Sequence, residues 1–257
     1  MSQTENDKLP PPVSEGSLTA EVKLYYDLAR PYESVLPNSP PKSPEPRPLL
    51  IALHGYGGSK KQMMREAQLI APQGFALVSL QGPHQHIREP MQKDGPLRYG
   101  FGWLTNFHPE ESVALHHEAL LDLINVLSDD RVADPSNIFL LGFSQSCALN
   151  YRFAFTHPHS LRGVIGICGG LPGDWETSTT YKTTDASILH LHGTRDEIYP
   201  PERTGDYLER LSTRARDVEM KGYNAAHEIT PAMRDDIRAW MEKQVGRMKD
   251  QRLEAGG

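Results

Sequence analysis

Ser144, Asp196 and His227 occur in that order along a chain of 257 residues, and together they have the makings of a nucleophile, an acid and a base. A serine hydroxyl is a poor nucleophile at neutral pH and needs a base within hydrogen-bond reach. That base in turn needs an acidic partner to fix its tautomer and stabilise the imidazolium. His227 is the only histidine after Asp196, so little choice of base remains. Asp196 is the favoured acid, with its neighbour Glu197 and the earlier Asp174 as alternatives. A tetrahedral intermediate would also need backbone donors. The expected pair is the amide of Gln145, directly after Ser144, and that of Tyr56 in His54-Gly55-Tyr56-Gly57-Gly58.

These residues need elements to position them. Ile138 to Leu141 is an apolar run suited to a strand buried on both faces. Beyond it, Cys147, Ala148, Tyr151, Ala154 and Phe155 mark one face of a helix. Between them lies Gly142-Phe143-Ser144-Gln145-Ser146. Strand, sharp turn with a central serine, then helix is the context of a nucleophile elbow. The usual G-x-S-x-G ends here in Ser146, so a slightly strained turn is expected, with the Ser146 hydroxyl bonding back to the helix backbone.

Further strands are expected at Leu49–Leu53, Phe75–Leu80, Leu161–Ile167, Ser187–Leu191 and Val218–Gly222. Helices are expected at Lys60–Ala71 with Ser59 as N-cap, Glu110–Leu127, Pro201–Leu211 and Pro231–Met248. Glu21–Arg30 reads as an edge strand or a helical turn, and Gln81–His108 as a long loop without a period. Pro37–Pro48 is proline-rich and reads as a linker or turn-rich loop. Alternating strands and helices predict an α/β fold, a mostly parallel central sheet with helices on both faces. In such sheets the sites lie beyond the carboxyl ends of the strands. His54, Ser144, Asp196 and His227 each follow a strand. The expected organisation is a disordered tail over 1–20, one domain over 21–247 with its core at 48–245, and a frayed tail over 248–257.

A net charge of −6 gives no reason to expect nucleic acid or an anionic membrane as partner. No apolar run reaches membrane-spanning length, and the first twenty residues lack a signal-peptide pattern, so no integral membrane association and a cytoplasmic location are expected. Cys147 and Cys168 read as reduced core residues. No cluster of carboxylates or thiols accompanies the histidine pairs at 84/86, 116/117, 157/159 and 190/192, so no metal is expected.

The chain resembles the α/β-hydrolase superfamily, and within it the phospholipase/carboxylesterase group that includes acyl-protein thioesterases. The resemblance rests on His54-Gly55-Tyr56-Gly57-Gly58, Gly142-Phe143-Ser144-Gln145, His192 to Pro200 and Ala226-His227-Glu228-Ile229. It implies an α/β-hydrolase fold, a Ser144–His227–Asp196 triad, an oxyanion hole at Tyr56 and Gln145, and no cofactor. The group often has a Trp-Phe-Asp run where this chain has Trp103-Leu104-Thr105. Trp103, Phe101 and Tyr99 are candidates for shaping an acyl site. The expected activity is hydrolysis of a small-molecule carboxylic ester or thioester through an acyl-enzyme, by a monomer or homodimer. A peptidase or amidase using the same machinery, and a non-catalytic binding protein, are the alternatives.

Overall fold

The computed structural model describes residues 13–31, 45–88 and 95–255. Nine strands and six helices follow in order: β1 (Tyr26–Ala29), β2 (Arg47–Leu53), α1 (Lys60–Ile70), β3 (Ala76–Leu80), β4 (His84–Arg88), β5 (Arg98–Gly102), α2 (Pro109–Asp129), β6 (Ala133–Phe143), α3 (Gln145–Thr156), β7 (Gly163–Ile167), β8 (Ser187–Gly193), α4 (Pro201–Thr204), α5 (Tyr207–Ser212), β9 (Val218–Tyr223) and α6 (Pro231–Ala255), all among the described residues. Seven strands form one sheet in the order β1-β3-β2-β6-β7-β8-β9. Only β1 runs antiparallel.

Alternation along the buried strands makes two cores. Leu49, Ile51 and Leu53 of β2 face a layer that includes Leu120 and Leu127 of α2 and Leu149 and Phe153 of α3. Leu50 and Ala52 face Met63, Ala67 and Ile70 of α1 and Ile237, Trp240 and Met241 of α6. Successive side chains of a strand point to opposite faces, so a strand covered by helices on both sides must be apolar throughout. This is why β2, β6 and β7 carry continuous apolar runs, and why β8 is apolar at Ile188, Leu189 and Leu191 around a buried His190.

The register keeps the carboxyl ends of the strands in step. Leu53 pairs with Gly142, Gly142 with Gly166, and Gly166 with His190. One edge of the sheet therefore presents the residues following β2, β6, β7, β8 and β9.

Several expectations need correction. The segment read as a loop from Gln81 to His108 contains an antiparallel hairpin, β4–β5, forming a small second sheet. Its strands, HQHIR and RYGFG, are polar or glycine-bearing and largely outside the core, so no apolar period marks them. Glu21–Arg30 resolves in favour of the strand, β1, which covers the outer side of β3. β2 begins at Arg47, inside the proline-rich segment, most of which lies outside the described residues, as does the start of the N-terminal tail. The described residues from Val13 to Tyr25 precede β1 without regular secondary structure. The single helix expected over Pro201–Leu211 is two short ones, α4 and α5. The last helix passes Met248 and continues to Ala255, through most of the segment read as a frayed tail.

Candidate active site

Ser144 sits between β6 and α3 with φ 57° and ψ −115°, outside the regions open to an ordinary L-residue. Such a backbone costs on the order of 1–3 kcal/mol and persists only where its surroundings over-determine it. Here the Ser144 amide donates to Ile167 O at 2.9 Å, and Cys147 N donates to Ser144 O at 3.1 Å. Close packing does the rest. A Cβ on Gly169 would lie 2.3 Å from Cys147 Sγ and 2.5 Å from Ser144 O, so only glycine fits against the turn.

Ser146 explains the departure from G-x-S-x-G. It is fully buried, and its hydroxyl accepts from Phe143 N at 3.0 Å. The same hydroxyl lies 3.0 Å from both Leu53 O and Phe143 O, either of which it can donate to. The hydroxyl thus joins the end of β2 to the elbow. The bonds run to the turn and the neighbouring strand, not along the helix as expected.

The three sequence-predicted residues meet. His227 Nε2 is 2.9 Å from Ser144 Oγ, and His227 Nδ1 is 2.9 Å from Asp196 Oδ2. An ionised Asp196 only accepts, so it fixes the proton on Nδ1 and leaves Nε2 as the acceptor for the serine hydroxyl. Asp196 itself is buried. Burial pushes its carboxyl up. Hydrogen bonds from Tyr199 N, His227 and Ile198 N outweigh that and hold it below the usual carboxylate range. The alternatives fall away: Asp174 is bound by Arg152 and Tyr181, and Glu197 is exposed.

His227 is carried by a loop that crosses β8 closely. A Cβ on Gly193 would lie 2.4 Å from Ala225 O. Two rings flank the imidazole: Phe143 with centroids 4.9 Å apart, and Tyr199 at 6.0 Å and nearly parallel. Neither was singled out from the sequence. Their signal in the sequence is position, one residue before Ser144 and three after Asp196, within two of the motifs that carry the resemblance.

The loop after β2 supplies Tyr56. Within it, Gly57 N donates to Phe101 O and Gly58 N to Gly55 O, while the Tyr56 amide, like that of Gly55, has no acceptor among the described residues. The Gln145 amide begins α3, where a helix has no internal acceptor for it. The Gln145 side chain is held in place by Trp103 N, which donates to its Oε1 at 2.9 Å. His54 braces the loop. Its Nε2 accepts from Gly82 N at 3.0 Å, and its Nδ1 lies 2.8 Å from Gly55 O. Burial lowers the His54 pKa, which favours the neutral form that this acceptor role requires.

The candidates for an acyl site are placed differently from expectation. Trp103 is a core residue, 1% exposed, and its indole N–H donates to His54 O at 2.7 Å. It supports the Tyr56 loop from behind. On β5, Gly100 and Gly102 face Gly57 and the Tyr56 ring. Strand alternation therefore turns Tyr99 and Phe101 to the opposite side. What reaches the Tyr56 loop is the β5 backbone, through Gly57 N to Phe101 O and Phe101 N to Gly58 O.

Cys147 and Cys168 are buried free thiols, as expected. Among the described residues one group of metal-type ligands converges, Cys168, Asp196 and His227, with ligand atoms within 4.8 Å of one another. Its Asp and His are already bonded to each other, and burial pushes the Cys168 thiol up to about 12, which opposes a thiolate ligand. Among the described residues no helix is long and apolar enough to cross a membrane.

Comparison with known proteins places this geometry in a lineage. The model of the phospholipase/carboxylesterase family matches residues 39–245. NocK of Nocardia uniformis subsp. tsuyamanensis is 26% identical over 196 residues, covering 74% of this chain and 52% of NocK. Acyl-protein thioesterase 1 of Eremothecium gossypii is 28% identical over 148 residues, covering 54% of this chain and 61% of the relative. The chain thus spans about half to three-fifths of the length of these curated relatives. Among solved structures, esterase PE8 superposes with a TM-score of 0.64 at 18% identity, over 86% of this chain and 99% of that one. A Bacillus cereus carboxylesterase gives 0.63 at 17%, over 86% and 94%. These structural likenesses establish the α/β-hydrolase fold. With its family model spanning most of the sequence, the chain belongs to the phospholipase/carboxylesterase family.

Proposed function

We propose that this protein is a serine hydrolase of carboxylic esters or thioesters that works through a covalent acyl-enzyme. The observation that carries the reading is the unbroken chain Asp196–His227–Ser144, with both links at 2.9 Å and the serine on a strained turn. Ser144 Oγ attacks the substrate carbonyl while its proton passes to His227 Nε2. Asp196 stabilises the imidazolium that forms. The carbonyl oxygen, now an oxyanion, is held by the Tyr56 and Gln145 amides, each worth ~10²–10³-fold in rate. His227 returns the proton to the departing alkoxide or thiolate, leaving an ester on Ser144. Water then attacks that ester by the same route, and the carboxylic acid leaves.

A fluorophosphonate probe tests this directly. It should form an adduct that maps to Ser144 and disappears in His227→Ala. A folded wild-type protein that takes no label would overturn the reading, and with it any peptidase on the same machinery. Hydrolysis of p-nitrophenyl esters and not of peptide anilides should then separate the esterase from the peptidase.

A further inference from the structure

A cavity of about 400 Å³ opens beside the Tyr56 loop, bounded by α1, Phe143 and Ile229. Its position relates it to the chemistry. Phe143 precedes Ser144 and packs on His227, and Ile229 follows His227 by two residues. The departing group must receive its proton from His227, so a cavity walled by the residues around that imidazole lies on the leaving-group side.

The charge in this cavity runs against that of the whole protein, whose net charge is −6. Arg65 and Arg88 line it, and among the described residues neither has a carboxylate partner. The one acid in the lining, Glu66, is gripped by Arg234 through two hydrogen bonds of 2.8 and 3.2 Å, and so is already neutralised. α1 carries no acid in its first turn.

Arg88 is also built into place. Its Nη1 donates to Gly57 O at 3.0 Å. The stem lies in a gap that only glycines leave open: a Cβ on Gly100 would be 2.8 Å from Arg88 Cδ, and one on Gly57, at φ +76°, would be 3.3 Å from Nε. A guanidinium has five N–H donors, and Gly57 O occupies one of them. A planar cation lining a cavity, anchored through one donor and with others to spare, matches the geometry of a carboxylate or phosphate.

We propose that this cavity is a subsite for an anionic group, a carboxylate or phosphate, on the leaving-group portion of the substrate, held by Arg88 and Arg65. The proposal rests on the hydrolase reading above and narrows its substrates to esters whose alcohol or thiol carries negative charge.

Three acetyl esters of similar size test it: methyl 4-acetoxybenzoate as the neutral probe, 4-acetoxybenzoate as the carboxylate, and 4-acetoxyphenyl phosphate as the phosphate. At least one anionic ester should exceed the neutral one in kcat/KM by about tenfold, the value of one good charge-assisted contact. The preferred anion identifies the group that the site takes. Arg88→Gln and Arg65→Glu should each collapse that ratio, and Arg88→Lys should restore part of it. Adding salt to about 0.5 M, which shortens the screening length to a few ångströms, should depress the anionic ester selectively. The ratio is the readout because damage to the Tyr56 loop would slow all three esters alike. A wild-type ratio of one or less, or a ratio unmoved by both substitutions, would overturn the subsite while leaving the hydrolase intact. Failure of all three esters together with failure of fluorophosphonate labelling would overturn both.

Discussion

The edge of the main sheet that carries Ser144, Asp196 and His227 and the β4–β5 hairpin flank the same Tyr56 loop, yet they are held by different means. The first is fixed by parallel register, by glycines into which neighbouring backbone and sulfur atoms press, and by buried hydrogen bonds. The second stands largely outside the core. It is tied to the Tyr56 loop by two backbone hydrogen bonds and Arg88, and to α2 by His84 and Ser112 at 3.1 Å. The first region leaves little room for change; the second leaves its outward side chains free to vary.

The largest effect should come from the serine. Ser144→Ala should lower kcat by about 10⁶, as in other serine hydrolases that lose their nucleophile. A loss of only a few-fold in steady-state assays would contradict its assignment. Next is the packing behind the turn. Gly169→Ala must push α3 or β7 aside and should cost about 3 kcal/mol of stability, near the upper end for overpacking. Denaturant unfolding reads this, and an unaltered midpoint would mean that the elbow is looser than its contacts imply.

Acid should then expose two buried histidines that take no part in the proposed chemistry. Burial, joined by repulsion from a neighbouring histidine, lowers His116 and His190 to about 3. The unfolded chain binds these protons near 6.5 and the folded chain refuses them. Stability should therefore be intact above about pH 6.5 and fall by roughly 1.4 kcal/mol per pH unit per histidine as pH drops toward 3. His190→Asn should flatten the slope of unfolding free energy against pH; an unchanged slope would remove His190 from this account.

Smaller still is Ser146→Gly, which restores the common elbow residue but removes the hydroxyl between Leu53 and Phe143. It should keep activity while losing about 1–2 kcal/mol, read as a lowered Tm. On the hairpin, Tyr99→Ala should change kcat/KM by less than about threefold and stability by about 0.5 kcal/mol, as expected of an exposed side chain. A large loss there would erase the contrast between the two regions.

The same contrast explains what could be read from the sequence. β2, β3, β6, β7 and β8 announce themselves because burial on both faces demands largely apolar runs, interrupted only by Ser79 in β3 and His190 in the buried part of β8. Ser144, Asp196 and His227 are legible because each directly follows a strand, and few alternatives lie downstream. β4 and β5 left no such trace: their pairing rests on backbone, and glycine at 100 and 102 signals close approach only once the partner is known. Trp103 misleads for a related reason. Aromatic residues in an irregular stretch suggest a ligand wall, but this one is drawn into the core by a hydrogen bond to His54 that no local pattern encodes. The role of Ser146 is hidden because one of its two acceptors, Leu53 O, lies on β2, far away in sequence.

The order of Ser144, Asp196 and His227 also bears on the protein's synthesis. Chains emerge N-terminus first and tend to fold as they go. Ser144 therefore leaves the ribosome well before β8 and before the loop that bears its base. Until His227 docks between Phe143 and Tyr199, the hydroxyl is an ordinary alcohol with no acceptor for its proton. On the proposed mechanism, reactivity thus arrives with the C-terminal third of the chain, and an unfinished polypeptide should be silent toward acyl groups.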